Sequence, residues 1–127
     1  MNTSQNKCIF CNLGKRKIIE SHYGILIRDL FPLNEGHSLV IPKRHVTSWF
    51  HCELNEQIDL IGLLNQAKRL LDVEYSPASY NIGINDGTAA GQTISHMHIH
   101  LIPRYLGDVQ DPRGGIRWLM PDKAKYW

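Results

Sequence analysis

The segment His96-Met97-His98-Ile99-His100-Leu101-Ile102 alternates histidine with apolar residues. Successive side chains of a β-strand point to opposite faces, so an extended segment places the three imidazoles on one face, roughly 7 Å apart from one to the next. A helix would instead rotate each histidine by about 200° from the one before it. The alternation therefore predicts a strand over residues 95–102, with the histidines on one face and the apolar side chains in the core.

Three imidazoles on one rigid face indicate a chemical site rather than an ordinary polar strand surface, because histidine is an uncommon residue. Near neutral pH, imidazole serves as a nucleophile, a base or a metal ligand. The three rings do not all carry charge together, because neighbouring like charges lower one another's pKa. We therefore expect His96, His98 and His100 to belong to an active site or a metal site.

Four other segments have the apolar, β-branched composition of strands and are bounded by turn residues. They span residues 18–20, 24–30, 37–41 and 79–85. Leucines and an alanine recur at spacings of three and four between residues 60 and 71, which predicts an amphipathic helix over 54–73 with Asn55 as its N-cap. This succession predicts an α+β fold in a single domain, residues 1–127. It has a mainly antiparallel five-stranded sheet, one long helix and a short second helix or turn.

The composition excludes several classes of protein. The 127 residues are 43% hydrophobic and 20% charged, which is typical of a globular domain. The net charge of +2 is too small to favour nucleic-acid binding by bulk electrostatics. No apolar run reaches the roughly 18 residues of a membrane span, and the polar first seven residues do not resemble a signal peptide. We expect a cytoplasmic protein without nucleic-acid or membrane partners.

Cys8 and Cys11 have the spacing of a zinc knuckle, which brings two thiolates within reach of one ion. A redox-active cysteine pair of this spacing usually lies at the N-terminus of a helix that follows a strand. Nothing before Cys8 can form that strand, which favours zinc over a redox pair. A redox pair and two plain core thiols both remain alternatives. Cys52 is the third cysteine, and we expect it to be a buried or free thiol.

The combined motifs resemble those of the histidine triad (HIT) family. The segment His96–Ile102 matches the family signature, in which three histidines alternate with apolar residues. Gly36–His45 resembles an earlier strand of the family, Asn85–Thr93 resembles the loop before the triad, and Cys8–Cys11 resembles an N-terminal knuckle of many microbial members. The resemblance covers residues 8–104 and leaves 105–127 as a C-terminal tail.

The resemblance implies a nucleotide hydrolase or nucleotidyl transferase that acts at the α-phosphate of a purine nucleotide. His98 would attack phosphorus and form a covalent nucleotidyl-histidine, which water then hydrolyses. His100 would donate to a phosphate oxygen, and His96 and His37 complete the implied catalytic set. The family positions that bind phosphate or ribose correspond to Asp29, Asn85, Gly91, Gln92 and Thr93, and an apolar bed for the base to Ile25, Ile27 and Leu39.

The resemblance also implies a structural zinc ion. In zinc-bearing members the two cysteines are joined by histidines that correspond to His45 and His96. The ligand set is then Cys8, Cys11, His45 and His96, with His51 as a rival to the fourth ligand. Four protein ligands leave no open position on the ion for water.

The tail and the substrate leave alternatives open. Arg104, Arg113 and Arg117 are candidates for the outer phosphates of a dinucleoside polyphosphate such as diadenosine tetraphosphate, or else belong to a solvated basic loop. The tail matches the family's phosphoramidase branch only loosely, so a nucleoside phosphoramidate is the second candidate substrate. Relatives are commonly homodimers. A metallohydrolase that uses Asp86 and a non-enzymatic nucleotide-binding module are the remaining alternatives.

Overall fold

A computed structural model describes residues 6–127, so most of the polar first seven residues lie outside the described residues. Five strands form one antiparallel sheet in the order β1-β2-β3-β5-β4. The strands are β1 (Ile19–Glu20), β2 (Gly24–Arg28), β3 (Ser38–Pro42), β4 (Ser79–Gly83) and β5 (Ile99–Arg104). The long helix α1 spans Leu54–Tyr75, and short 3-10 turns lie in the connections and the tail. The α+β prediction is confirmed.

Helix α1 packs on one face of the sheet because its apolar stripe is complementary to the apolar residues of β2, β3 and β5. Leu60, Leu63 and Leu71 from the helix are buried against Leu26 and Leu101 from the sheet. The helix begins after Glu53, whose backbone N–H donates to the side chain of Glu56 in a capping box. Asn55 is therefore inside the helix, and its prediction as N-cap was wrong.

The other face of the sheet carries a second apolar cluster. Phe10 and Leu13, from the segment that contains Cys8 and Cys11, cover Ile25, Ile27 and Ile41. We call residues 8–16 the knuckle. It leaves the part of this face near β5 and β4 open, and the tail lies beside that opening.

The predicted triad strand is only partly correct. β5 begins at Ile99, while the chain bends over residues 94–96, so His96 and His98 precede the strand and His100 lies on it. From His100 onward the alternation holds, because Leu101 is buried on the α1 side and His100 lies on the open face. In the part of the chain that the structure describes, no helix is long and apolar enough to cross a bilayer.

A substitution on each side of α1 tests this packing. Leu71 is 0% exposed, so Leu71→Ala leaves a cavity and is expected to lower the free energy of unfolding by about 2–5 kcal/mol. Val73 is 88% exposed on the same helix, and Val73→Ala is expected to change stability by less than about 0.5 kcal/mol. Urea denaturation of both variants measures the difference. Equal effects would contradict the position of α1.

Candidate active site and metal centre

A cleft of about 1020 Å³ lies on the open face of the sheet. The knuckle forms one end of it, the tail forms the other, and residues of β5 and the preceding loop form its floor. Of the predicted catalytic residues, His37, His98 and His100 line this cleft, and His96 does not. The bend at 94–96 separates His96 from the other two histidines.

His98 is held in one orientation by the backbone. Its Nδ1 lies 2.8 Å from the carbonyl oxygen of His96, and its ring packs edge-on against Phe10. A carbonyl oxygen only accepts hydrogen bonds, so Nδ1 of His98 carries a hydrogen. In the neutral ring, Nε2 then keeps its lone pair, which is the form that a nucleophile needs.

His100 is oriented by a chain of two hydrogen bonds. The backbone N–H of Leu33 donates to Nδ1 of His37 over 3.0 Å, so Nε2 of His37 carries the hydrogen. That Nε2 lies 2.9 Å from Nδ1 of His100 and donates to it. The hydrogen of a neutral His100 is thereby placed on Nε2, where it is available as a donor.

Burial keeps this histidine pair neutral. Desolvation, with smaller contributions from His98 and His37, lowers the pKa of His100 to about 4, and desolvation also lowers the pKa of His37. Asp29 opposes both shifts, since its Oδ2 is 3.5 Å from Nε2 of His37 and 4.0 Å from Nδ1 of His100. Its other carboxylate oxygen accepts from the backbone N–H of Phe31.

The residues predicted to bind phosphate or ribose divide into two groups. Asp29, Asn85, Gly91 and Thr93 line the cleft. Gln92 is placed differently from the prediction. Its amide nitrogen donates to the carbonyl oxygens of Thr47 and Ile94, and its oxygen accepts from Gly87 N–H, so its side chain braces the loop instead of facing a phosphate.

The four predicted metal ligands come together at the knuckle. One donor atom from each of Cys8, Cys11, His45 and His96 lies within 4.8 Å of the other three. Nδ1 of His96 is 3.4 Å from Sγ of Cys8, and Nδ1 of His45 is 3.2 Å from Sγ of Cys11. Tetrahedral zinc, with bonds of about 2.0–2.3 Å, places its ligand atoms at comparable separations. His51, the rival ligand, is not in this group.

The chemistry of these four donors also fits a metal. Nε2 of the buried His96 lies 2.8 Å from the carbonyl oxygen of Pro42 and donates to it, which leaves Nδ1 free to coordinate. Burial and the adjacent Cys8 thiol raise the pKa of Cys11 to about 11, so two thiolates here require a compensating cation. His96 therefore belongs to this cluster by its ring and to the cleft only through its carbonyl oxygen.

The predicted apolar bed for a base is largely covered. The side chains of Ile25 and Ile27 lie under Phe10 and Leu13, and only Leu39 of the three predicted residues lines the cleft. Sequence patterning identifies apolar strand residues but does not indicate which segment covers them.

The three arginines considered for outer phosphates have partners within the protein. Arg104 forms a bidentate pair with Asp108 and also donates to Asn81. Arg113 pairs with Asp111, and the side chain of Arg117 donates to the carbonyl oxygens of Lys123 and Ala124. These contacts give the tail its shape, and they take up donors that the sequence suggested for a polyphosphate.

Asp86, the carboxylate considered for a metallohydrolase, is also occupied. One of its oxygens accepts from the hydroxyl of Ser48 and the backbone N–H of Trp49. The donors of Asp29, His37 and His100 form a second close group, but the two histidines use the facing nitrogens for their mutual hydrogen bond.

Sequence reasoning missed two participants in the cleft. The Leu33 backbone amide, which fixes the tautomer of His37, has no signature in a sequence. Arg16 also lines the cleft. It follows the knuckle cysteines by only a few residues, and this closeness in the sequence could have identified it as a cleft residue.

Comparisons with known proteins agree with this architecture. A family model described as HIT domain matches residues 12–107. A protein of Mycoplasma pneumoniae named an uncharacterized HIT-like protein is 34% identical over 108 residues, which are 80% of this chain and 74% of that protein. A zinc-bound histidine triad family protein from Mycobacterium smegmatis has a TM-score of 0.75 and is 30% identical, with 84% of this chain and 81% of that chain covered.

Two relatives with named activities come from Schizosaccharomyces pombe. Its asymmetrical bis(5'-nucleosyl)-tetraphosphatase is 37% identical over 83 residues, which are 65% of this chain and 46% of that protein. Its adenosine 5'-monophosphoramidase is 30% identical over 102 residues, which are 76% of this chain and 74% of that protein.

The neutral histidine pair gives a pH prediction. With a pKa of about 4 in the folded protein and an ordinary value of 6.5, His100 binds fewer protons folded than unfolded between these pH values. Its contribution to stability is therefore present above pH 6.5 and is lost as the pH falls towards 4. NMR titration of the imidazole signals, with His100 assigned through His100→Gln, measures its pKa. A midpoint at or above 6.5 would contradict the burial described here.

Proposed function

Because this chain belongs to the HIT domain family, we propose that it hydrolyses or transfers nucleotides at the α-phosphate, with His98 as the nucleophile. The observation that carries the proposal is the 2.8 Å contact between Nδ1 of His98 and the carbonyl oxygen of His96. It leaves Nε2 unprotonated inside a cleft that His100 and a glycine-containing loop also line. Family members with named hydrolase activities support this class of reaction.

The proposed reaction proceeds in two displacements. Nε2 of His98 attacks the α-phosphorus, the bond from phosphorus to the leaving group breaks, and the leaving group takes the electron pair. Where the leaving group is an amine, its nitrogen also takes a proton from the solvent. The ring then bears a positive charge, which the His96 carbonyl oxygen stabilises through Nδ1–H. Water next attacks phosphorus and releases one proton to the solvent, the P–N bond breaks with its electron pair returning to Nε2, and a nucleoside monophosphate leaves.

His100 acts in this scheme as a fixed donor. Its Nε2–H, held in place by the Leu33–His37 hydrogen bonds, donates to a non-bridging oxygen of the α-phosphate. Phosphoryl transfer depends mainly on such positioning and charge stabilisation. The Gly91 turn, with φ of +95°, lets the backbone approach the phosphate without a Cβ in the way.

The leading substrate class is a dinucleoside polyphosphate. Residues of the knuckle and of the tail line the cleft together with His98, and its volume of about 1020 Å³ is close to the upper limit of roughly 1,000 Å³ that is usual for ligand pockets. A purine nucleotide on one side and a bulky leaving group on the other fit that size. The relative named as a tetraphosphatase supports this choice.

A nucleoside phosphoramidate is the second candidate, and one observation favours it. Asp108 and Asn81 engage all three guanidinium nitrogens of Arg104, and Asp111 and the tail backbone engage two nitrogens each of Arg113 and Arg117, so few donors of these arginines remain for a polyphosphate. A phosphoramidate has a leaving group without further phosphates and needs no such donors. The relative named as a monophosphoramidase is consistent with it.

We also propose that Cys8, Cys11, His45 and His96 bind one structural zinc ion. A zinc-bound family member and the close grouping of the four donors support this ligand set. The ion supplies a cross-link between the knuckle and the segment before β5, and it leaves no coordination position for substrate. We place the protein in the cytoplasm as a homodimer, a proposal consistent with the exposed apolar residues Ile58 and Ile61 of α1.

Turnover of diadenosine tetraphosphate by wild type and His98→Ala tests the nucleophile. We expect wild type to release AMP and the variant to lose at least about a thousandfold in rate, because no other group replaces the attacking nitrogen. Chromatography follows the product, and circular dichroism checks the fold. His51→Ala, an exposed histidine outside the cleft, is the matched control. An active, folded His98→Ala variant would contradict the mechanism.

Activity of wild type on adenosine phosphoramidate alone would select the second substrate class, and nucleotide binding without cleavage would favour the non-enzymatic binding module.

Metal analysis of the purified protein tests the ligand set. We expect one zinc ion per chain, loss of zinc in Cys8→Ser, and a thermal midpoint that falls on chelation, because the ion binds the folded state. Cys52→Ser removes the cysteine outside the cluster and is expected to keep the zinc. Zinc retained by Cys8→Ser and lost by Cys52→Ser would overturn the assignment.

A further inference from the structure

Arg16 lies at the end of the cleft that the knuckle forms. It closes the 3-10 turn Gly14–Arg16, is half-buried and lines the cleft. One nitrogen of its guanidinium donates to the carbonyl oxygen of Arg28 over 3.2 Å, at the end of β2. Within residues 6–127, that carbonyl is the only partner of its guanidinium, so several of its N–H groups remain available to a ligand.

The other arginine that lines the cleft has no such freedom. Asp108 and Asn81 occupy all three nitrogens of the Arg104 guanidinium. Among the described residues of the cleft, Arg16 is therefore the cation with free donors. A planar guanidinium presents two parallel N–H groups, which suits a ligand edge with two adjacent acceptors.

Arg16 lies beside Asp29, because its guanidinium contacts the carbonyl oxygen of the preceding residue, Arg28. The carboxylate of Asp29 in turn faces the His37–His100 pair, at 3.5 Å from Nε2 of His37 and 4.0 Å from Nδ1 of His100. A nucleotide with its α-phosphate at His98 and its ribose near Asp29 extends its base towards Arg16.

The surroundings of Arg16 suit a flat apolar ring. Ile9 and Phe10 of the knuckle line this end of the cleft together with Leu30 and Phe31, and Phe31 is 85% exposed. Two acceptors nearby already have a donor. The Arg28 carbonyl oxygen accepts from Arg16 itself, and Oδ1 of Asp29 accepts from Phe31 N–H. This end of the cleft therefore offers the remaining guanidinium donors of Arg16 to the edge of a base.

We propose that Arg16 reads the base and selects guanine over adenine, an inference that rests on the proposed nucleotide chemistry. The Hoogsteen edge of guanine presents two adjacent acceptors, O6 and N7, which the guanidinium fork matches. Adenine keeps N7 but carries an amino group at C6, which would face the guanidinium donors without an acceptor. An unpaired polar group of this kind lowers affinity.

Calorimetric titration with mononucleotides tests the proposal, because these are the products of the proposed reaction. We expect wild type to bind GMP roughly tenfold or more tightly than AMP, a ratio in the range of one bidentate arginine–guanine contact. IMP keeps O6 and N7 and is expected to bind like GMP. Arg16→Ala is expected to abolish the preference, and Arg16→Lys, which keeps the charge but not the fork, to lose most of it.

Lys15→Ala is the matched control, because it removes one positive charge from the same turn at an exposed position. It is expected to keep the guanine preference. Equal binding of GMP and AMP to wild type would overturn the inference while leaving the chemistry of His98 intact. Equal weakening of both nucleotides by Arg16→Ala and full rescue by Arg16→Lys would also overturn it, since that pattern indicates a phosphate contact. Binding of neither nucleotide would contradict the proposed function as well.

Discussion

The hydrogen bond from Nδ1 of His98 to the carbonyl oxygen of His96 is the contact on which the proposed chemistry depends. It requires the chain to bend over residues 94–96 before β5 begins, and the bend is held by the Met97 N–H, which donates to the carbonyl oxygen of Val46 over 2.7 Å. Without the bend, His96 would face the cleft and its carbonyl would not reach His98. The same turn of the chain thus orients His98 and directs the His96 ring to the cysteines.

His96 consequently connects two sites that have different chemistry. Its Nδ1 lies against the thiols of Cys8 and Cys11, and its Nε2 is fixed by the carbonyl oxygen of Pro42. A metal on this cluster would hold the His96 backbone through the ring and so hold the acceptor of His98. The knuckle also covers the sheet with Phe10, whose ring contacts both His96 and His98. The proposed metal binding, the folding of the knuckle and the orientation of His98 would therefore be coupled through few residues.

Sequence patterning predicted the parts of the structure that depend on local periodicity. The amphipathic stripe predicted α1 within two residues at its end, and alternation predicted the faces of β5 from His100 onward. The family motifs selected the Cys8, Cys11, His45 and His96 donors that the structure brings together.

What patterning could not predict depends on contacts between distant residues. Alternation assigns His96 to the triad face because it contains no information about thiols some 85 residues earlier in the chain. Basic residues in the tail suggested phosphate binding, but Asp108 and Asn81 take the donors of Arg104, and a count of charges does not reveal such pairs. Likewise Gln92 braces its own loop through Thr47, which lies 45 residues away. Backbone partners, such as the Leu33 amide on His37, are invisible to side-chain reasoning.

The position of a trapped nucleotidyl group is the most direct test of nucleophilic attack by Nε2 of His98. Rapid quenching of turnover at alkaline pH preserves a phosphorus–nitrogen bond, and peptide mapping with phosphorus NMR locates it. Because the His96 carbonyl oxygen occupies Nδ1, we expect one adduct, on Nε2 of His98. An adduct on Nδ1 of His98, or on His100, would contradict this expectation, as would full turnover through direct attack of water with no adduct at any time.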